Sequence, residues 1–457
     1  MVGTAFYGLM AVRPSEEVVF VHLIIDTRLI GGVRCVNFDT HPPQSWRKLF
    51  STHHPYWFLP RRKLWFSDSP HTGKLLLSRY NPAENAIEAH AIVAERGQNT
   101  FELWDHNPEV IIHTFSPKVQ LDRTITVARL DSSAYTRNSG DDNLLQRELT
   151  MEVHTSAAGH GLYSVFMLAR PVPYDIVSPG SKVWPPLTIP APERTRNESV
   201  TRFAGTGHKP SRLAEISDST WRLRKWMEFS HPHGITARVG EDVTTYASLD
   251  EALYTPTPQK PWRGIWCGDY AGHGCEFLVV LQPDDPGPLP EGARRVLSRR
   301  SSSASSTGSW ASVQSHFQNS DDEGFVDVGA ALSSESMDAS TTTVVEDDRE
   351  DRVEPVYSGR IEAVKLTGDP NIPRGEYTFI APDIGPDGYV RTAEEAIFRG
   401  ARVVRSVGHI AARGYRDDEF ISSQLIMISP DRLAQYWVPF GHISFYQRVD
   451  IDALLNS

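Results

Sequence analysis

The residues best suited to chemistry lie in one short segment, residues 365–375, with the sequence Lys-Leu-Thr-Gly-Asp-Pro-Asn-Ile-Pro-Arg-Gly. Lys365, Thr367 and Asp369 alternate in it, so a strand that runs into the loop would project all three to one side. A cation, a hydroxyl and a carboxylate on one face, at the mouth of a barrel or sandwich, suit the binding of a polar peptide end. The alternative is structural: Asp369 and Asn371 bond their own backbone and shape a turn, and spacing alone favours this alternative.

Two strand–turn–strand patterns position the candidate residues. Extended runs flank the loop of residues 365–375, whose two glycines and two prolines are typical of a structured turn. The pattern of residues 262–281 predicts a second unit of this kind: a strand, a glycine-rich turn that contains His273, and another strand. His273 could face a ligand, but a hairpin histidine bonded to the backbone is the commoner arrangement. The glycines do not form a dinucleotide fingerprint, because no helix pattern follows them.

Composition limits the classes of function. The 457 residues suffice for two or three average domains or for one large β domain with insertions. A net charge of −11 argues against a general nucleic-acid binder, which needs clustered lysines and arginines. The three cysteines form no disulfide framework and favour a reducing compartment, so we expect a cytoplasmic or nuclear protein. No apolar run reaches the roughly 20 residues of a membrane span, and no signal peptide is predicted.

The pattern of short apolar runs predicts a mainly β fold of the barrel type. Residues 56–282 carry runs at hairpin-like spacing, and the same pattern resumes over residues 355–452. The serine-rich and acidic stretch between them, residues 283–354, predicts a disordered insertion into one barrel domain. Residues 221–229 fit a short helix or a strand, and the sequence does not decide between them.

The N-terminal region, residues 1–55, predicts only a short helical remnant. Trp46, Leu49 and Phe50 lie at i, i+3 and i+4, which places them on one face of a helix that the following His-His-Pro ends. No long helix with a capping signal precedes them. We therefore expect the helical part of the protein to be small.

Familiar catalytic and cofactor motifs are absent from the sequence. It contains no GxSxG elbow, no HExxH helix and no Walker A loop. The pairs His53-His54 and His231-x-His233 lie in loops beside proline, and neither has an acidic or cysteine third ligand nearby. We expect a non-catalytic protein without a metal or cofactor, although residues distant in sequence could still form a spatial triad.

Several motifs, taken in order, resemble the family of F-box only protein thirty-one and its fungal F-box relatives. The resemblance covers most of the chain outside the insertion and the first 40 residues. The segment Thr-Gly-Asp-Pro-Asn at 367–371 is its most specific part. It rests on residues 46–80, 266–276 (Trp-Cys-Gly-Asp-Tyr-Ala-Gly-His-Gly-Cys-Glu), 365–375, 408–415 and 436–449.

The resemblance implies a substrate receptor of an SCF (cullin-RING) ubiquitin ligase. In such a receptor a three-helix F-box binds the Skp-type adaptor, and a β-barrel domain binds a degron, typically the C-terminal end of a target. Residues 1–55 lack the opening segment and the first two helices of an F-box, so we interpret them as a degenerate or truncated F-box. By matching position, the helix face at 46–50 would contact the adaptor. The residues that would line the degron site are Tyr270, His273, Lys365, Thr367 and Asp369.

Three functions therefore stand as hypotheses. The first is recognition of a degron for ubiquitination and proteasomal degradation, with the adaptor, a cullin and a target protein as partners. The second is peptide binding without the adaptor. The third is a β-barrel enzyme acting on a small molecule, which would require convergent titratable groups in a closed pocket.

Overall fold

A computed structural model describes the chain over residues 46–97, 101–113, 115–136, 144–151, 154–155, 160–198, 208–230, 236–269, 274–299 and 356–456. Helices are short in these ranges. They are α1 (Trp46–His53), α2 (Phe58–Arg62), α3 (Ser132–Thr136), α4 (Glu251–Tyr254), α5 (Glu291–Arg299) and α6 (Ile451–Asn456). In the described part of the chain, none of them is long and apolar enough to cross a membrane.

Strands dominate the described residues. The first group comprises β1 (Leu64–Ser67), β2 (Leu75–Asn81), β3 (Ala86–Glu95), β4 (Phe101–Trp104), β5 (Asn107–His113), β6 (Lys118–Leu130), β7 (Leu149–Thr150), β8 (His154–Thr155), β9 (His160–Leu168), β10 (Val183–Trp184), β11 (Thr195–Arg196), β12 (Thr220–Ser230) and β13 (Thr236–Ser248). The second group comprises β14 (Gly264–Asp269), β15 (Cys275–Leu281), β16 (Ile361–Lys365), β17 (Tyr377–Ala381), β18 (Tyr389–Thr392), β19 (Arg402–Ala412), β20 (Arg416–Ser429), β21 (Arg432–Trp437) and β22 (His442–Arg448).

The second group closes into an eight-stranded antiparallel barrel in the order β14-β15-β16-β17-β19-β20-β21-β22. Pairing of β14 with β22, for example Cys267 opposite Gln447, closes the ring. β4 and β5 extend this sheet beyond β22, and β18 pairs with β19. The predicted mainly β, barrel-type fold is confirmed.

Nine strands of the first group form a separate sheet beside the barrel, in the order β6-β3-β2-β1-β13-β12-β9-β7, with β8 paired to β9. Strands β10 and β11 pair with each other. The sequence predicted one barrel that starts at residue 56. Strand pairing instead places all eight barrel strands in residues 264–448 and all nine strands of the neighbouring sheet in residues 64–248. Apolar alternation cannot separate the two, because both sheets contribute to one shared core cluster that includes Leu64, Ile265 and Phe445.

Burial on both faces explains the uninterrupted apolar run Phe277–Leu281 in β15. Phe277 and Val279 face the core shared with the first sheet. Leu278 and Val280 face the barrel lumen, where they belong to a cluster drawn from every barrel strand. A strand covered on both faces loses the alternation of a half-exposed strand.

Helix α5 shortens the predicted insertion. The sequence predicted disorder from residue 283, yet α5 (Glu291–Arg299) packs on the outside of the barrel. Ala293 is fully buried against Ile380 and Val407, with Phe420 at the edge of the cluster. The apolar residues are spaced for one helix face, and the Pro-Asp-Gly tract before them obscures that spacing. Residues 300–354 of the predicted insertion, like residues 1–45, lie outside the described residues.

Two local predictions concern the region of the first sheet. The helix ending near Phe50 is present as α1. The undecided stretch 221–229 is part of strand β12, whose Trp221 and Leu223 are buried in the first sheet's own core.

Candidate functional site

Antiparallel pairing gives the barrel two distinct ends. The connections β14–β15, β16–β17, β19–β20 and β21–β22 all lie at one end, which we call the hairpin end. The connection from β15 to β16, which carries α5, lies at the other end, the insertion end. The candidate segment, residues 365–375, is the β16–β17 connection and therefore belongs to the hairpin end.

Two glycines allow the β16–β17 connection to fold back tightly. Gly368 and Gly375 have φ of +68° and +85°, a region that other residues rarely adopt. A Cβ on Gly368 would come within 2.4 Å of the backbone nitrogen of Arg374, so the turn requires glycine there. The chain then returns to the strand end, where the Gly375 N–H donates to the Lys365 carbonyl at 2.7 Å.

Lys365 connects two acidic side chains at the hairpin end of the lumen. Its Nζ donates to Glu276 Oε2 at 2.7 Å and also to Asp369 Oδ2. The three side chains, which we call the buried triad, belong to residues that are 1% (Lys365), 2% (Glu276) and 6% (Asp369) exposed. Glu276 lies on β15 two residues before Leu278, whose partner on β16 is Lys365, so Glu276 and Lys365 face the lumen side. Asp369 reaches the Lys365 ammonium from the β16–β17 connection.

The second oxygen of Asp369 shapes the turn. Asp369 Oδ1 accepts hydrogen bonds from the Asn371 and Ile372 amides, both at 2.6 Å. The two interpretations that the sequence left open therefore describe different atoms of one carboxylate. One oxygen forms the predicted Asx-type turn, and the other pairs with Lys365.

Burial and mutual charge set the protonation of the triad. Burial raises the pKa of Glu276 to about 8, against the opposing charge of Lys365 and with the help of Asp369. Burial alone would lower the pKa of Lys365, but the two carboxyl groups hold it above its ordinary value. Burial would raise the pKa of Asp369, but Lys365 and the Ile372 amide hold it below its usual range. The triad therefore pairs a lysine cation with an aspartate anion, and burial favours the protonated form of the Glu276 carboxyl.

One atom of the triad has an unused hydrogen-bonding capacity. Glu276 Oε1 is buried and accepts no hydrogen bond from the residues that the structure describes, although the Glu276 carboxyl group also hydrogen-bonds to that of Asp369. A buried polar atom without a partner carries a cost of about 1–3 kcal/mol. Such an atom at the end of a barrel is a candidate contact for a bound polar group.

Thr367 makes different hydrogen bonds from those of Lys365 and Asp369. Its hydroxyl accepts a hydrogen bond from the Phe277 amide at 3.0 Å, and its carbonyl accepts one from the Gly73 amide at 2.5 Å. The Arg374 guanidinium donates to the Asp68 carbonyl. These bonds hold the β16–β17 connection against β15 and against the β1–β2 connection of the first sheet.

Other polar side chains line the same lumen toward the hairpin end. The Tyr446 hydroxyl donates to Gln435 Oε1 at 2.9 Å, and Gln435 Nε2 donates to Ser423 Oγ at 3.1 Å. Ser423 is in turn 2.7 Å from the Ser406 hydroxyl. Trp437 Nε1 donates to Ser444 Oγ at 3.1 Å. The middle of the lumen and its hairpin end therefore carry fixed hydrogen bonds instead of close apolar packing alone.

The structure describes only some of the remaining predicted site residues. Tyr270 and His273 lie outside the described residues, and so does the side chain of Trp46. Leu49 is buried, whereas Phe50 is 37% exposed on α1. In the described ranges, no group of three or more His, Cys, Asp or Glu side chains is arranged to hold a metal ion.

Sequence reasoning missed Glu276 as a site residue. A usable signal was present, because a glutamate at the start of the apolar run 275–281 has the same strand parity as Leu278 and Val280. A charge on an inward face requires a partner. Its partner, Lys365, is 89 positions away in the sequence, so the pairing itself was not readable.

The comparisons with known proteins concern the same part of the chain. A family model described as "Cyclin D1 binding domain" matches residues 246–453. That range contains all eight barrel strands and the complete buried triad. No curated protein matches the chain.

Proposed function

We propose that the barrel is a protein-recognition domain that binds a polar peptide end of its target at the hairpin end. The observation that carries the proposal is that the matched family model, whose description names binding of a cyclin, spans the barrel and its triad. Burial of three ionisable groups in the lumen supports it, because such a cluster is costly and commonly marks a functional site. By the description of that family, the proposed target is cyclin D1 or a cyclin like it.

Each triad residue has a proposed role in recognition. Asp369 fixes the β16–β17 connection through the amides of Asn371 and Ile372, so the binding loop is preformed. Lys365 neutralises Asp369 and orients Glu276. Glu276 Oε1 offers the buried hydrogen-bonding atom to the peptide end. The site makes and breaks no covalent bond.

We further propose that the chain acts as the substrate receptor of an SCF-type ubiquitin ligase, as its resemblance to F-box proteins implies. In this role it brings the target close to the ubiquitin-transferring subunits and so raises the effective concentration of substrate lysines. The proposed partners are a Skp-type adaptor and a cullin. On α1, exposed Phe50 is the described side chain best placed for the adaptor.

Co-purification of the full chain with a Skp-type adaptor and with cyclin D1 tests both proposals. We expect both proteins to be captured, with Phe50→Ala reducing adaptor capture only. Tyr174→Ala serves as the control, since Tyr174 is 83% exposed and lies in a separate loop. Capture of cyclin D1 without the adaptor would favour a peptide-binding module that works outside a ligase. Failure to capture cyclin D1 would contradict the proposed target.

A further inference from the structure

Two cysteines lie next to each other across the β14–β15 pair. The register sets Cys267 opposite Phe277 and Asp269 opposite Cys275, so the two cysteines are diagonal neighbours. Residues two apart on a strand share one face, and both cysteines pack into the core that the barrel shares with the first sheet. Both are free thiols in this structure. The pair is therefore a dithiol at the junction of the two sheets.

The two thiols have different environments. Cys267 is completely buried, whereas Cys275 is half-buried at the start of β15. The Cys267 thiol donates a hydrogen bond to the Cys275 sulfur, which lowers the pKa of Cys275 and raises that of Cys267. Burial and Asp269 oppose the lowering at Cys275, and the Arg96 guanidinium, which pairs with Asp269, favours it. A lowered pKa and partial exposure make Cys275 the more reactive thiol.

A bond between the two sulfurs requires a small backbone movement. Diagonal neighbours in an antiparallel pair have Cα atoms about 7–8 Å apart, beyond the roughly 4.4–6.8 Å of most disulfides. The hydrogen bond already brings the two sulfurs together, so the strand ends need to close by only about 1 Å. A disulfide formed under such strain is more easily reduced than an unstrained one, which suits a reversible bond.

The dithiol adjoins the buried triad. Cys275 precedes Glu276 in the chain, and Glu276 lies opposite Gly268, the residue that follows Cys267. A bond between the cysteines would therefore tie β14 to β15 at the ladder position that carries Glu276. Neither thiol takes part in the proposed peptide recognition, so the inference does not rest on that function.

We propose that Cys267 and Cys275 are a reversible redox pair that hydrogen peroxide oxidises to a disulfide. The Cys275 thiolate attacks one peroxide oxygen, the O–O bond breaks, and the released hydroxide takes up the thiol proton to leave as water. Cys275 then carries a sulfenic acid. The Cys267 sulfur attacks the Cys275 sulfur, the S–O bond breaks, and hydroxide leaves with the Cys267 proton as a second water. Two thiols are thus oxidised to one disulfide, and one peroxide is reduced to two waters.

Treatment of the folded full chain with hydrogen peroxide tests the proposal. The remaining thiols are then alkylated, and mass spectrometry of the unreduced peptides locates any disulfide. We expect a bond between Cys267 and Cys275 that dithiothreitol reverses. The same bond should form in Cys35→Ala, the control that removes the third cysteine of the chain.

Single substitutions separate the roles of the two thiols. Cys267→Ala should stop the reaction at the Cys275 sulfenic acid, which dimedone traps. In Cys275→Ala, Cys267 should oxidise at least about tenfold more slowly than Cys275 does in Cys267→Ala, because Cys267 is buried and its thiolate is disfavoured. Alanine keeps an apolar side chain at both positions, and circular dichroism checks that each variant is folded.

Three results would overturn the proposal. One is a native chain that stays folded in hydrogen peroxide and retains both thiols. Another is a disulfide of Cys275 with Cys35 or with a second copy of the chain in place of Cys267. The third is oxidation of Cys267 in Cys275→Ala as fast as that of Cys275 in Cys267→Ala.

Discussion

The two ends of the barrel lumen are filled by different kinds of side chain. At the insertion end, Trp262, Ile361 and Met427 fill the lumen with fully buried apolar side chains. At the hairpin end, Glu276, Lys365 and Asp369 occupy equally buried positions with ionisable groups. Apolar packing stabilises the first end at no electrostatic cost, whereas the second end must compensate the desolvation of charges. Under the proposed function, the insertion end serves stability and the hairpin end serves recognition.

Trp262→Ala should give the largest loss of stability. Trp262 is completely buried in the lumen cluster, so its truncation leaves a cavity and should lower the free energy of unfolding by about 3–5 kcal/mol. Urea denaturation measures the loss. Met227→Ala, at an exposed position of β12, is the control and should stay within about 0.5 kcal/mol of the native protein. Similar losses in the two variants would contradict the assignment of the insertion end to stability.

Lys365→Met should be nearly as damaging but for a different reason. It leaves Asp369 buried without its cation, which should cost about 3 kcal/mol. Lys365→Met combined with Asp369→Asn removes both charges and should recover part of that loss. If the loss of unfolding free energy in the double variant equals the sum of the losses in the two single variants, the two groups do not interact as the structure describes.

Glu276→Gln should change the pH dependence of stability more than stability itself. The pKa of Glu276 is about 8 in the folded state and near 4.5 when unfolded. Between these values the folded protein holds a proton that the unfolded chain lacks, so this group makes the free energy of unfolding fall as pH rises, by up to about 1.4 kcal/mol per pH unit. The variant should lose that part of the slope, and denaturation at pH 5, 6, 7 and 8 would measure it. If stability has the same pH dependence in the variant and in the native protein, the pKa of Glu276 lies near its ordinary value.

Asp218→Asn should have the smallest effect. Asp218 pairs with Arg61 and Arg62, but the side chains of Asp218 and Arg61 are each more than 40% exposed. Solvent-screened pairs contribute about 0–1 kcal/mol, so the melting temperature should hardly move. A shift as large as that of Lys365→Met would remove the distinction between exposed and buried charge pairs.

The strands and turns were predictable from the sequence, but the pairing of each strand with its neighbours in the sheet was not. The apolar runs at hairpin-like spacing and the turn chemistry of residues 365–375 are local signals, and the structure has strands such as β3 and β22 and a turn at those places. The division into barrel and neighbouring sheet depends on pairing between strands far apart in sequence, such as β14 with β22. For the same reason Asp369 was visible as a turn residue, whereas its link through Lys365 to Glu276 was not.

Affinity for cyclin D1, measured by calorimetric titration of the full chain, tests the central claim most directly. Asp369→Asn preserves an acceptor for the Asn371 and Ile372 amides, and Glu276 can ionise to balance Lys365, so the barrel should stay folded at a cost of about 1–2 kcal/mol. In this variant an ionised Glu276 is the remaining counter-ion of Lys365 and no longer presents its native carboxyl group to the peptide end. The account therefore predicts that Asp369→Asn binds at least about tenfold more weakly, a loss of about 1.4 kcal/mol, while Asp218→Asn binds like the native chain. Native affinity in a folded Asp369→Asn variant would contradict recognition at the hairpin end.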